Sequence, residues 1–235
     1  MRVEVIPGAW VRERGDLRRE LRAVAAPSYV DPTEFLEVTF ARSTHMYVAR
    51  DGAGIAAFFC AAWERLDVGA ERRDAVYMGL SATRQDLKGR GVVKRVFDRF
   101  VEDAAAWESE HGRRLILWGK TATPTMFRGL RTVFPELEPR LDGTYTELGA
   151  QVAAAARVEH GLPAVLPGVH PFVLPRVTAD TTRYSAQERE RIGTRRRNSE
   201  TLLHRLGIDE TRGDRIVVFT PVPRAGERRR QDPTP

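Results

Sequence analysis

Cysteine is almost absent: the 235-residue chain has one, Cys60. A single thiol excludes a disulfide framework and a cysteine-rich metal site. Its place in the apolar run from Ile55 to Trp63 implies a buried group. Long apolar runs are missing as well. The N-terminal MRVEVIPGAW lacks a signal-peptide core, and no stretch approaches the length of a membrane span, so a cytoplasmic location without membrane contact is the expectation. The histidines, His45, His111, His160, His170 and His204, show neither H-E-x-x-H spacing nor carboxylates at metal-ligand intervals, and no metal is expected. His170, in an apolar segment, reads as a satisfied, partly buried side chain. There is no G-x-S-x-G elbow, no activating partner for Cys60 and no internal repeat.

What is present suffices for a substantial core in one domain, with 42% hydrophobic and 30% charged residues. A net charge of +6 and a pI near 10.0 invite a nucleic-acid reading. That reading needs localised charge. Arginine is instead dispersed, and its densest runs are Arg195 to Arg197 and Arg228 to Arg230. The second lies in a segment, 224–235, that reads as a disordered basic tail, so nucleic acid is not the expected partner.

The chain is organised around Ala75 to Trp107. Ala75 to Thr83 reads as a strand, Arg84 to Gly91 as a polar turn, and the rest as a helix starting at Gly91 or Val92. Val92, Val93, Val96, Phe97, Phe100, Val101, Ala104 and Trp107 form one apolar stripe on it. In the turn, Lys88-Gly89-Arg90-Gly91 puts two residues without Cβ where a strand hands over to a helix, so backbone N–H groups can converge on a ligand. The first amides of a helix have no internal partner and lie at the positive end of its dipole, which suits a phosphorylated ligand.

Three glycine-loop chemistries compete for this turn. A dinucleotide fingerprint would need glycine in place of Lys94 and an acidic residue after the next strand, which RLILWGK does not provide. A Walker A loop ending in Gly119-Lys120-Thr121 would need glycine in place of Arg114. The pyrophosphate loop of coenzyme A acyltransferases, Q/R-x-x-G-x-G/A, is matched by Lys88-x-x-Gly91-x-Val93 in its basic first residue, its central glycine and its strand-to-helix setting.

On those residues the chain resembles the GNAT superfamily of N-acyltransferases, over Met1 to Leu148 in order of elements and over Ser81 to Lys94 in specific motif. The resemblance implies an α/β fold: a mixed, mostly antiparallel sheet flanked by helices, here with an extended helical C-terminal region. It implies acetyl-CoA or another acyl-CoA as co-substrate and a small-molecule amine as acceptor, in a monomer or homodimer. Carried over residue by residue, the backbone of Ser81, Ala82 and Thr83 would bond the pantetheine arm. The amides of Lys88, Gly89, Arg90, Gly91, Val92 and Val93 would hold the pyrophosphate, with Thr123 and Phe127 of the following helix completing the donor site. Val93 departs from the family's Gly/Ala.

The remaining elements follow in order. Arg2 to Ile6 reads as a strand; a helix runs from Asp16, its cap, to Pro27; a second short helix covers Pro32 to Phe40 with Asp31 as cap. In the family this region lines the acceptor pocket, which makes Tyr29, Phe35 and Phe40 weak candidates for substrate contacts beside their role in packing. His45 to Arg50 and Ile55 to Leu66 form a hairpin across Asp51-Gly52-Ala53-Gly54, and with Ala75 to Thr83 an antiparallel meander. Arg114 to Trp118 is a buried strand, and Thr123 caps a helix with Pro124 in its first turn. Leu148 to Val158 and Ser185 to Leu206 read as helical, the latter with a Ser185/Glu188 capping box. Phe172 to Val177 and Arg215 to Val222 are the closing antiparallel strands. Boundaries at 148 and 223 separate a donor-binding core, a C-terminal part that completes the sheet, and the tail.

N-acyl transfer needs a base, polarisation of the thioester and an acid for the departing thiolate. The glutamate that family members carry on the strand before the loop is missing from Ala75 to Thr83, and Leu130 stands near the position of the family's helix tyrosine. Candidates in their place are Glu64, Ser81 and Tyr145, with Tyr77 as another possible acid. The alternative is a GNAT-fold protein that binds coenzyme A as a sensor or scaffold without catalysis.

Overall fold

A computed structural model of the chain describes residues 1–178, 183–194 and 202–224. The chain begins with β1 (Arg2–Pro7), α1 (Gly8–Glu13), α2 (Gly15–Ala25), β2 (Tyr29–Val30) and α3 (Thr33–Arg42). The meander follows as β3 (His45–Asp51), β4 (Gly54–Val68) and β5 (Glu71–Thr83), then α4 (Val92–His111), β6 (Ile116–Thr121) and α5 (Pro124–Val133). The rest comprises α6 (Glu147–Glu159), β7 (Val173–Leu174), β8 (Arg183–Tyr184), α7 (Ala186–Thr194), α8 (Leu202–Arg205) and β9 (Arg215–Pro221).

Seven strands form one sheet in the order β1-β3-β4-β5-β6-β9-β7. All neighbours are antiparallel except β5 and β6. This is the mixed, mostly antiparallel sheet expected from the sequence. Phe59 packs one face against Phe97 and Phe100 of α4, and Leu21, Leu36, Phe40 and Phe58 pack the other against α1, α2 and α3, the face on which Glu64, Tyr77 and Trp118 meet Arg42 and the end of α6. The stripe on α4 explains its position: Phe100 is fully buried, edge-on to Tyr47 at 5.5 Å and to Phe59 at 5.0 Å. Gly112, at φ 63°, ends that helix.

Two irregularities open the sheet. Phe59 pairs with Ser81 and Ala61 with Met78, so Gly79 and Leu80 lie opposite the single residue Cys60 as a bulge that bends β5. The parallel ladder between β5 and β6 runs only from Ala75↔Ile116 to Met78↔Gly119. Beyond it the strands part. At the last pair before they part, a Cβ on Gly119 would stand 2.6 Å from the Met78 carbonyl oxygen.

Several local expectations are corrected. The N-terminal helix is two helices, and Asp16 caps neither; it pairs with Arg14 at 2.7 Å, and Arg14 occupies the cap position of α2 without a side-chain bond. Helix α3 has Pro32 at its cap rather than Asp31, whose φ of 43° turns it out of line, and it runs on to Arg42. The Ser185/Glu188 box is half formed. Glu188 N–H donates to Ser185 Oγ at 3.2 Å, but Ser185 N–H donates to the Ser28 carbonyl and the Glu188 carboxylate turns to Lys88 and Arg191. The strand expected over Phe172 to Val177 contracts to β7, since Pro171 and Pro175 bracket it and Arg176 adopts φ 57°. Residues from both sides of position 148 share one core. The runs at 195–197 and 228–230, and most of the tail, fall outside the described residues.

Candidate functional site

The loop between β5 and α4 is fixed from outside. Arg84 forks onto Asp51 with bonds of 3.0 and 2.8 Å and also holds Asp86 at 2.8 Å, tying the loop to the β3–β4 hairpin and holding both carboxyls below their usual range. A 3₁₀ turn, Gln85–Leu87, uses the amides of Lys88 and Arg90 internally. Gly91 caps α4 at φ 73°, with no side-chain cap. Among the described residues the amides of Gly91, Val92 and Val93 find no acceptor. A Cβ at Gly91 would meet nothing within 4 Å, and Gly91, Val92 and Val93 all border a cavity. An anion of diphosphate type fits this cradle.

The loop borders a cavity of about 760 Å³ that follows the parting of β5 and β6. Ser81, Ala82, Thr83, Lys88, Gly89, Gly91, Val92, Val93 and Thr123 line it. Thr123 caps α5, accepting from Met126 N–H at 3.2 Å, and Ser81 Oγ–H points to Met126 Sδ at 3.7 Å. Arg90 is at the exposed loop tip, and Phe127 packs into the core beneath the lining. Tyr29 and Phe35 also line the cavity, whereas Phe40 belongs to the core. The Lys88 ammonium turns inward, to Ser28 Oγ at 2.8 Å and Glu188 at 2.7 Å, in a pair almost without exposure. Burial lowers the Lys88 pKa. Burial alone would raise that of Glu188, but its bonds from Arg191 and Lys88 leave it below the ordinary value. The bond fastens α7 across the loop.

Toward the α1–α3 face the cavity ends in a chamber of side chains. The extra turn of α3 brings in Arg42, which bonds Glu64 at 3.0 Å and Glu159 at 2.6 Å and stacks 3.8 Å above the Tyr77 ring. Glu64 also accepts from Trp118 Nε1 at 3.0 Å. Burial raises the Glu64 pKa against the opposing pull of Arg42. Glu64 is thus fully engaged at the chamber's edge and is not among the lining residues. Tyr145 is elsewhere, in a separate hollow against His170 and Phe172. His170 is satisfied there by Gly143 and Phe172 backbone groups, as the sequence implied. Cys60 is buried, which pushes its thiol up to about 12.

Two residues of the chamber were not read from the sequence. Lys120, the first residue of β6 beyond its ladder with β5, places Nζ 3.0 Å from His160 Nε2, just past the end of α6. Burial, then the charges of Arg215 and Arg42, bring the Lys120 pKa down to about 8, and burial followed by the charge of Lys120 brings His160 down to about 4. The histidine is therefore neutral at pH 7 and accepts at Nε2, while the lysine loses its proton well below the ordinary ammonium range. The lysine ending a buried strand was a visible signal; its partner 40 residues on was not. Among the described residues no group of His, Cys, Asp and Glu side chains could hold a metal ion, and no helix is long and apolar enough to cross a membrane.

No protein-family model matches the chain, and no curated protein matches it. Similar solved structures include a conserved protein of unknown function from Enterococcus faecalis V583, 11% identical with a TM-score of 0.40. The match covers 57% of this chain and 33% of that one, so the chain spans about a third of that protein's length. A GNAT-family acetyltransferase from Desulfovibrio desulfuricans is 14% identical, with a TM-score of 0.42 and coverage of 57% and 85%. A ribosomal-protein-alanine N-acetyltransferase from Brucella melitensis is 17% identical, with a TM-score of 0.37 and coverage of 56% and 88%. At such scores the likeness concerns the course of the chain and carries nothing about activity. The mixed, mostly antiparallel sheet flanked by helices is the one that the sequence resemblance implied.

Proposed function

We propose that the protein is an N-acyltransferase that takes acetyl-CoA or another acyl-CoA and acylates an amine of a small molecule. The observation that carries this reading is the row of unpartnered amides at Gly91, Val92 and Val93, bordering the cavity at the mouth of a parted sheet. The donor supplies an activated acyl carbon. The loop amides hold its diphosphate, and the edge of β5 from Gly79 to Thr83, unpaired on the β6 side, aligns the pantetheine arm and presents amides to the thioester carbonyl. The acceptor enters from the α1–α3 face into the chamber beside Tyr77 and Lys120. Ser81 stands on the donor side. Glu64 is committed to Arg42 and Trp118 and forms part of the wall, so the base is sought nearer the Lys120–His160 pair.

A second reading, a coenzyme A sensor without turnover, draws on Glu64 being committed to Arg42 and Trp118 and on the buried Leu130 of α5 where the family has a tyrosine. Thermal unfolding with acetyl-CoA against adenosine phosphates tests the shared donor site. At a hundred times the dissociation constant, stabilisation of about 2.7 kcal/mol is expected from acetyl-CoA. No shift at saturation would sink both readings. Thiol release over a panel of amines separates them: a sensor releases none.

A further inference from the structure

The chain has 38 Lys and Arg residues, and only three are lysines: Lys88, Lys94 and Lys120. All three line the cavity that reaches the loop amides. Their environments differ. Lys88 is held by Glu188 at 2.7 Å and Lys94 by Asp98 at 2.9 Å, so each nitrogen is turned to a carboxylate rather than into the cavity. Lys120 has no carboxylate within salt-bridge distance among the described residues; its bonded partner is the neutral His160 ring. Arg42 and Arg215 face it, and Glu159 is the acidic group nearby, itself bonded to Arg42. Lys120 is half-buried at the point where β5 and β6 separate, the gap through which the acyl end of a donor held at the loop would pass.

We propose that Lys120 is itself an acyl acceptor: the bound thioester acylates Nζ once, leaving an Nε-acyl-lysine in the chamber. The inference rests on the donor reading above. A neutral amine donates one N–H to His160 Nε2 and keeps its lone pair for attack. The lone pair forms the N–C bond, the C–S bond breaks with its electron pair going to sulfur, and the surplus proton passes from Nζ to His160 and on to the thiolate, releasing free coenzyme A thiol. No oxidant or further reactant is needed. Part of what disfavours a proton on His160 is the charge of Lys120, and that charge disappears as the amide forms. The product is stable because an amide does not transfer its acyl group onward, so one modification per chain neutralises the chamber wall.

The test uses the full chain with acetyl-CoA, read by intact mass and peptide mapping, beside calorimetry of acetyl-CoA binding in the same buffer. One acetyl group per chain is expected, on Lys120, with Lys88 and Lys94 unmodified and with excess coenzyme A slowing the gain. K120R should gain no mass, and His160→Phe should slow the gain about a hundredfold. If acetyl-CoA binds and Lys120 stays unmodified, the inference fails and the donor reading stands. Acetylation spread evenly over the three lysines, or indifferent to coenzyme A, shows chemical modification and overturns it. Absence of acetyl-CoA binding overturns both.

Discussion

The two ends of the cavity are built on opposite principles. At the loop end, positive potential comes from backbone: amides at the start of α4, presented by a left-handed glycine and bordering the cavity. At the chamber end it comes from side chains cross-linked to one another, with Arg42 bridging two glutamates over an aromatic ring and Lys120 against a histidine. A backbone site is rigid and nearly independent of pH. A side-chain site is coupled, so that removing one member exposes the others, and it titrates.

The largest effect is expected where that coupling is broken. Arg42→Ala takes the shared cation from half-buried Glu64 and exposed Glu159 and removes the cover of Tyr77. Discounted for partial exposure, the loss of stability by chemical denaturation should be about 2 kcal/mol. A change within a few tenths would mean the pair is solvated and the chamber is not coupled. Next comes the loop end. Gly91→Val forces a β-branched residue to φ 73°, which costs roughly 1–2 kcal/mol, and places methyl groups in front of the amides. Acetyl-CoA affinity should fall tenfold or more, equivalent to about 1.4 kcal/mol, while the chamber's pH response is unchanged. Equal affinity would show that the donor lies elsewhere.

This division also marks what was legible in the sequence. The glycine loop, the α4 stripe, the Thr123-Pro124 cap and the meander are local patterns, and periodicity and turn chemistry reveal them within a dozen residues. The pairings of β1 with β3 and of β6 with β9 join strands that are not consecutive in the chain, and no local turn announces them. The chamber was not legible, because Arg42, Glu64, Lys120 and Glu159 come from α3, β4, β6 and α6 and meet only when the sheet is assembled. Ending α3 at Phe40 rather than Arg42 hid the bridging cation. Glu64 was singled out as the carboxylate near the sheet, but a composition-level reading cannot show that Arg42 and Trp118 already occupy it. Tyr145 was chosen for its chemistry, while its ring packs with His170 and Phe172 away from the cavity.

The pH response should separate the two ends. Lys120 has a folded pKa of about 8, below the free value of 10.5, so between those values the unfolded chain binds more protons and stability rises with pH. His160, at about 4 in the fold and 6.5 when free, makes stability fall as pH drops from 6.5 toward 4. Lys120→Met should abolish the alkaline rise, which is on the order of 2 kcal/mol at most for a partly exposed group, and should stabilise the protein at pH 7. Gly91→Val should leave both limbs intact. An alkaline limb that survives Lys120→Met would assign it to another group.

The smallest effect is expected at Lys94, the cation on the first turn of α4 beside the open amides. Its pair with Asp98 is an exposed i,i+4 contact, at 56% and 42% exposure, so Lys94→Ala should cost only about 0.3–0.5 kcal/mol of stability. Its consequence for binding is different in kind. An exposed charge beside a polyanion site acts through a screened field, so the variant should bind acetyl-CoA a few-fold more weakly in dilute buffer, with the difference vanishing near 1 M salt, where the screening length is about 3 Å. A deficit that persists at high salt would place Lys94 in direct contact with the donor, and the loop end would then share the side-chain logic of the chamber.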